Sequence, residues 1–408
     1  MAHRVRVSPD LVGGGVNEGY GKVVDAFRRN LDGGSEIGAA VAAYRDGRKV
    51  VDLWGGYRNG TTHSPWEHDT MVIVFSTTKG IAALTVALAV SRGYVAYDTP
   101  VADYWPEFAQ NGKDSVTVRQ LLSYQAGLAV SSPPLTLGDY ADPAQASAKL
   151  AVQRPAWTPG TRHGYHPWGL GPYVSELIRR TDPAGRTLGR FFAEEIAAPL
   201  GLDFYIGLPE SVDRDRVAHL HAFSAAQMLL HLHTLPPGFV LAMMNPRSLT
   251  ARAAIPPGVK ALDEFNRDEL RVVEMPAGNG TGTARSIARL YGDAATDGAG
   301  IGLSSTTLEA LKASAVPPAN GLHDTLLHLD ASWSLGFLKP PVPSVFGSSD
   351  HAFGTCGAGG SFGFADPDTG TGFAYVPNKM GFHVVSDPRE LALRQALFRD
   401  VIGARVQT

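Results

Sequence analysis

Cysteine is almost missing from this chain: its 408 residues include one, Cys356. No internal disulfide is possible, so the fold does not depend on an oxidising compartment. Long apolar runs are missing too. The most apolar stretch, Ile81 to Val90, has ten residues, well short of the ~20 that cross a bilayer. The opening segment, MAHRVRVSPDLVGGGV, carries two early arginines but no apolar core of signal-peptide length. A cytoplasmic protein with no membrane partner is expected. Neither sign of charge is in excess. The 36 Lys and Arg against 39 Asp and Glu leave −3, which offers nothing to nucleic acid or an anionic membrane. No repeat or low-complexity tract occurs.

Apolar residues, by contrast, make up 44% and charged residues 18%. That supports a large core and excludes global disorder. The length suits one large domain or two sharing a surface. With 46 Gly and 28 Pro, a loop-rich enzyme fits better than a helical bundle.

Asn17 to Leu31 predicts an amphipathic helix, with Val23, Val24, Phe27 and Leu31 at helical spacing and Gly33-Gly34 as its stop. Ile37 to Tyr44 and Lys49 to Tyr57 flank Asp46-Gly47 and predict a β-hairpin. Met71 to Phe75 is a short apolar run entering a helix over Ser76 to Arg92. From Tyr94 to Gly280 short helices alternate with Pro- and Gly-rich loops: Val116 to Tyr124, Gly169 to Arg180 and Leu188 to Ala198. Ala284 to Ala295 is helical. Strands return at Ser332 to Leu338, Ser361 to Ala365 and Thr371 to Pro377, and Pro388 to Ile402 closes as a helix. The expectation is an α+β protein. An antiparallel sheet built from residues 1–93 and 281–408 is flanked by helices, and a mainly helical domain spans 94–280.

Three segments carry candidate chemistry. In Ser76-Thr77-Thr78-Lys79 the first and last residues share a helix face, roughly 5–6 Å apart. The serine sits at the positive end of the macrodipole, where a lysine beside it can take its proton. Read alone, the tetrad equally fits an N-capping serine with a solvated lysine. In Gly164-Tyr165-His166-Pro167 the tyrosine can act as a base if a neighbouring cation such as Lys79 lowers its pKa by roughly 3 units. Read alone, it is a loop tyrosine packing its ring. Phe353-Gly354-Thr355-Cys356-Gly357-Ala358-Gly359-Gly360-Ser361 lets a substrate carbonyl approach backbone N–H groups, or is a tight turn between strands.

Together, in this order, these segments resemble the serine β-lactamase and penicillin-binding-protein superfamily: S-x-x-K at Ser76, a Y-x-x at Tyr165 and a K/H-T-G-like strand at Thr355-Cys356-Gly357. The likeness is closest to class C β-lactamases and the family VIII carboxylesterases built on their fold. Val101-Ala102-Asp103-Tyr104-Trp105-Pro106, Leu121-Leu122-Ser123-Tyr124-Gln125-Ala126-Gly127-Leu128 and Gly359-Gly360-Ser361-Phe362-Gly363-Phe364 extend it from about residue 20 to 400.

The resemblance implies a β-lactamase/DD-peptidase-like fold with the active site between its two parts. It implies Ser76 as the acylated nucleophile, Lys79 and Tyr165 as proton relay, and the N–H groups of Ser76 and Ala358 as oxyanion hole. Thr355, Cys356, Gly357, Gly359, His166 and Trp333 would meet a small-molecule ester or acyl substrate, with no cofactor and no metal. The sequence departs from the β-lactamase pattern at two positions, and Tyr124 sits where many relatives have His. Thr355 stands where β-lactamases have Lys and the esterases often His, and Pro167 where β-lactamases have Asn. Both departures favour an ester over a carboxylate-bearing amide. An acyltransferase, a β-lactamase or DD-peptidase, and an inactive binding homologue are the alternatives.

Three other features carry less. Gly359-Gly360-Ser361-Phe362-Gly363 matches G-x-S-x-G, but Ser361 leads into a strand pattern and not a helix. His219, His221, His231 and His233 form two H-x-H pairs without an acidic or cysteine partner at metal-ligand spacing. Cys356 has no histidine placed to activate it.

Overall fold

The computed structural model describes residues 7–404 of the chain. Asp46 and Gly47 both take positive φ, 50° and 72°. They close the expected hairpin between β2 (Gly38–Arg45) and β3 (Arg48–Asn59), as a two-residue turn with matching strand twist requires. The C-terminal region supplies β4 (Trp333–Ser334), β5 (Phe337–Leu338), β6 (Phe353–Cys356), β7 (Phe362–Asp366) and β8 (Thr371–Pro377). With β1 (Val12–Val16), these form one antiparallel sheet in the order β1-β3-β2-β8-β7-β6-β5-β4. A ninth, two-residue strand, Ser64–Pro65, pairs with β3. The central pairing is β2 with β8, from Arg45 opposite Thr371 to Ala39 opposite Pro377, so the two ends of the chain meet in mid-sheet.

Helices α1 (Gly21–Asp32) and α5 (Pro388–Leu397) pack together, and α4 (Ala284–Ala294) lies on β2, β7 and β8. Between sheet and remaining helices runs α2 (Thr77–Ser91), every residue of which is buried up to Ala89. A helix apolar all round belongs inside. It touches β6 on one side and α3 (Leu170–Thr181) on the other. A second sheet of three two-residue strands, Val72–Ile73, Thr281–Gly282 and Phe204–Tyr205, ties the entry to α2 to the middle of the chain.

One sequence expectation changes, and two strands lie outside the sequence reading. Ser332 to Leu338 is two short strands, because Leu335 and Gly336 take φ of 52° and 92° and fold them into a hairpin. Val12–Val16 is a strand despite three glycines. A Cβ on Gly13 would lie 2.6 Å from the Trp54 ring, so only bare backbone fits against that indole. Residues 94–280 contain one strand, Phe204–Tyr205. No helix among the described residues is long and apolar enough to cross a membrane.

Candidate active site

Ser76 stands at the N-cap position of α2, but its side chain caps nothing. Its Oγ instead receives the Tyr165 hydroxyl at 2.5 Å and lies 3.0 Å from Lys79 Nζ. The residue before it, Phe75, has φ of 43°. Backbone strain of this kind in a non-glycine residue persists only where the surroundings enforce it. The Phe75 ring is held edge-on against Phe265, centroids 5.3 Å apart.

Lys79 is 2% exposed. Its Nζ also lies 2.6 Å from the Pro167 carbonyl and 2.7 Å from that of Ala277. Burial pushes its pKa well below the ordinary lysine value. No carboxylate is among its partners, so the uncharged amine is favoured. An uncharged amine has two N–H groups for the two carbonyls and one lone pair for the Ser76 hydroxyl.

The same burial pushes the Tyr165 phenol far up, against a smaller lowering by its hydrogen bond to Ser76. Burial thus works against the expected lowering of Tyr165 by a Lys79 cation, and the phenol is placed as a proton donor to Ser76 Oγ. Its position is fixed from behind. Asp324 Oδ2 accepts from the Tyr165 backbone N–H and from Trp333 Nε1, both at 2.9 Å. Trp333 stacks on the Tyr165 ring at 5.1 Å and 17°, and Tyr124 closes the cluster.

The glycine-rich loop reaches Ser76 by close approach. A Cβ on Gly357 would lie 2.2 Å from the Val74 carbonyl, and one on Gly80 would lie 1.9 Å from the Tyr291 hydroxyl. These glycines let β6 and its following loop rest on the start of α2. The loop is closed by Gly357 N–H to Ser361 at 2.8 Å and Gly360 N–H to Gly357 at 3.1 Å. Among the described residues, neither the Ser76 amide nor the Ala358 amide donates a hydrogen bond. Two uncommitted N–H groups next to a hydroxyl can receive a developing oxyanion.

Arg389 anchors the loop from below. It is buried between Glu36 and Asp387, and its five N–H donors meet five acceptors: Asp387 twice, Glu36, and the carbonyls of Lys379 and Gly359. The Gly359 bond is 2.7 Å.

A cavity of about 260 Å³ opens on this cluster. Ser76, Lys79, Tyr165, Trp333, Ala358, Thr355-Cys356-Gly357 and Gly359 line it. The rest of the wall is chiefly apolar: Phe223, Met228, Leu235, Phe239, Leu262 and Phe382.

Two expected substrate contacts are not available. His166 is fully buried beneath the site, edge-on to Tyr124 at 5.1 Å, and does not line the cavity. Its neighbour Tyr165 takes the pocket side of the loop. The Thr355 hydroxyl donates to the Thr77 carbonyl at 3.1 Å and accepts from Gly80 N–H at 3.2 Å. It is committed to α2 and has no proton left for a ligand. Ser361 Oγ is likewise committed, donating to the Val74 carbonyl at 2.8 Å, and a strand follows it. Burial pushes the Cys356 thiol up to about 11, away from thiolate character. His221 accepts from Gly60 N–H at 3.0 Å, and His231 stacks on Phe382 at 3.8 Å. Among the described residues no three His, Cys, Asp or Glu side chains converge.

Sequence reasoning missed Ala277, Asp324 and Arg389. Asp324 carries a weak local signal, an Asx turn with its Oδ1 on the N–H groups of Leu326 and Leu327. The other two carry none.

The antiparallel sheet, the buried helix behind it and the Ser–Lys–Tyr cluster at its start define an enzyme of the serine hydrolase type. Comparison with known proteins agrees. The beta-lactamase family model matches residues 23–398. The esterase/beta-lactamase LipL of Mycobacterium tuberculosis is 32% identical over 376 residues, covering 90% of this chain and 83% of its own. Among solved structures, a penicillin-binding-protein homologue from Caulobacter crescentus has 38% identity and a TM-score of 0.81, and a family VIII carboxylesterase 34% and 0.81. Each covers 94% of this chain and 98% of its own. The chain belongs to the beta-lactamase family.

Proposed function

We propose that the protein is a carboxylesterase that forms an acyl-enzyme on Ser76, in a cleft between the sheet domain (1–93 and 281–408) and the mainly helical residues 94–280. The observation that carries this is the placement of Ser76 Oγ, unused as a cap and in contact with both Lys79 Nζ and the Tyr165 hydroxyl.

Ser76 Oγ attacks the ester carbonyl carbon while its proton passes to uncharged Lys79. The carbonyl oxygen becomes an oxyanion facing the N–H groups of Ser76 and Ala358. As the C–O bond to the alcohol breaks, Tyr165 gives its proton to the leaving oxygen and regains one from Lys79. Water then repeats the sequence at the acyl carbon, freeing the acid and Ser76.

The cavity supports an ester over a carboxylate-bearing β-lactam. Its only lysine is Lys79, which already faces three oxygens, and it has no arginine. His383 also lies on the wall, but with neither a free lysine nor an arginine there a substrate carboxylate loses about 1.5–3 kcal/mol of the charge-assisted hydrogen bonding that a permanent cation gives. The expected kcat/KM for nitrophenyl butyrate exceeds that for nitrocefin by at least about tenfold. The test is both substrates on wild type and Ser76→Ala, with a covalent serine probe read by mass. Added mass at Ser76, and loss of at least about a thousandfold in Ser76→Ala, is expected. Labelling at Ser361, or preference for nitrocefin, sinks the reading.

A further inference from the structure

The wall of the cavity formed by residues 223–239 has two sides. Inward, Met228 on the helix Ala225–Leu230 and Phe239 on the helix Pro237–Met243 line the cavity. Outward, the same helices and their ends hold Leu229, Leu230, Leu241 and Met244 at 68%, 75%, 69% and 76% exposed. Nine large apolar side chains are exposed among the described residues. Six of them, with Met243 and Ile255, fall between positions 229 and 255. Scattered exposed apolar residues are ordinary, but a concentration marks a contact surface.

Charge says what kind of surface. From Val217 to Pro246, thirty residues contain no Asp, Glu, Lys or Arg, where the chain's 18% would place about five. A surface of anionic lipid calls for a cluster of Lys and Arg, and between positions 229 and 255 there are only two, Arg247 and Arg252, both toward one end. A protein partner is ordinarily met by a charged and polar rim around an apolar centre, and from Val217 to Ile255 the only charged residues are Arg247 and Arg252. A face with no acidic residue and two arginines at one end, backed by an apolar cavity that opens on the candidate nucleophile, matches an uncharged apolar phase.

We propose that this face docks on the surface of an aggregated neutral ester, and that substrate passes from that oil–water interface along the 223–239 wall into the cavity at Ser76. The proposal rests on the esterase reading for the identity of the phase. The net charge and short apolar runs that argue against a membrane partner do not bear on a neutral interface. Burying an exposed Leu or Met side chain is worth roughly a factor of ten or more in partition.

The test uses the full chain, tributyrin and nitrophenyl butyrate. On wild type the tributyrin rate is expected to step up at least about fivefold when concentration crosses the solubility limit, and the protein to float with the emulsion. Leu230→Glu/Met244→Glu, two side chains outside the cavity, is expected to lose the step and the flotation by about tenfold or more. Its rate on dissolved nitrophenyl butyrate is expected to match wild type. Ser76→Ala should still float, which separates docking from catalysis. A wild type that floats but hydrolyses neither ester overturns the esterase reading and leaves the surface standing. Absence of both step and flotation overturns the docking proposal. So does preferential flotation with phosphatidylglycerol vesicles over the neutral emulsion. A wild-type dimer in sedimentation that the double substitution dissociates also overturns it, because a second copy then covers the face.

Discussion

Lys79 is the residue on which the proposed chemistry turns, because its burial favours the uncharged amine that a base needs. The sign of its pH dependence follows from that burial. The uncharged form is the working one, so kcat/KM is expected to rise with pH through an apparent value well below lysine's usual ~10.4. Tyr165 is pushed the other way and in the proposed reaction works protonated, so no alkaline fall is expected up to pH 10. A bell centred near neutrality would contradict this. Stability carries the same signature. The folded chain releases the Lys79 proton at a lower pH than the unfolded chain, so between those values the unfolded state binds more protons. Wild type should therefore gain on Lys79→Met as pH rises through the interval below lysine's usual value, by up to about 1.4 kcal/mol per unit, read from urea midpoints. Thr355 makes the opposite case. Its hydroxyl serves α2, so Thr355→Val should lower stability by about 1–3 kcal/mol while leaving KM for nitrophenyl butyrate unchanged. A large rise in KM at unchanged stability would return Thr355 to the substrate.

Among elements, the glycine loop between β6 and β7 matters most, because it carries the Ala358 amide. Its neighbour Gly360 has φ of 107°, and a Cβ there would lie 2.7 Å from Asp387 and 2.8 Å from Arg389. The loop is thus seated on a buried ion cluster. Arg389→Lys cannot reproduce five directed bonds. It is expected to lower kcat at least about tenfold with little change in KM, and to slow labelling of Ser76 by a phosphonate probe equally. Equal labelling rates in variant and wild type would confine Arg389 to stability. Sequence legibility divides along the same line. The β2–β3 turn and α2 were readable because their signals are local: Asp46-Gly47 in one, an unbroken apolar run closed by Gly93 in the other. Ser76 and Lys79 were placed on one face by helical spacing, but their joint role was read from the family resemblance. Tyr165 needed a family resemblance, since nothing in the four residues around it points to Ser76, 89 positions away. Arg389 and Ala277 meet the site only through long-range packing, which no window reads. His166 was misplaced because adjacent loop residues point to opposite sides, and Tyr165 took the open one. The short helices of 94–280 were underread. Capping boxes at Thr136 with Asp139 and Ser224 with Gln227 start two of them.

For the whole molecule, the sheet order decides what a shortened chain can do. A chain stopped before Thr371 retains Ser76, Lys79, Tyr165 and Ala358. It lacks β8, which stands between the N-terminal strands and all the rest of the sheet, and it lacks Arg389. Such a chain is expected to show no hydrolysis of nitrophenyl butyrate and to elute as aggregate on gel filtration. A monomeric, active truncation would show that the mid-sheet pairing is dispensable.

That pairing also sets a clock. β2 reads Gly38-Ala39-Ala40-Val41-Ala42-Ala43-Tyr44-Arg45, and six of its eight residues are buried in the finished sheet. Its second neighbour is β8, some 325 residues further on. At ~5–20 residues per second, the ribosome delivers that neighbour roughly 15–65 s after the hairpin emerges. Through that interval a flat, apolar strand edge stands open to any other extended chain. Yield of active protein should therefore depend on how crowded the nascent chains are, and lower temperature and weaker expression, which thin them out, should raise the soluble fraction without any change in sequence.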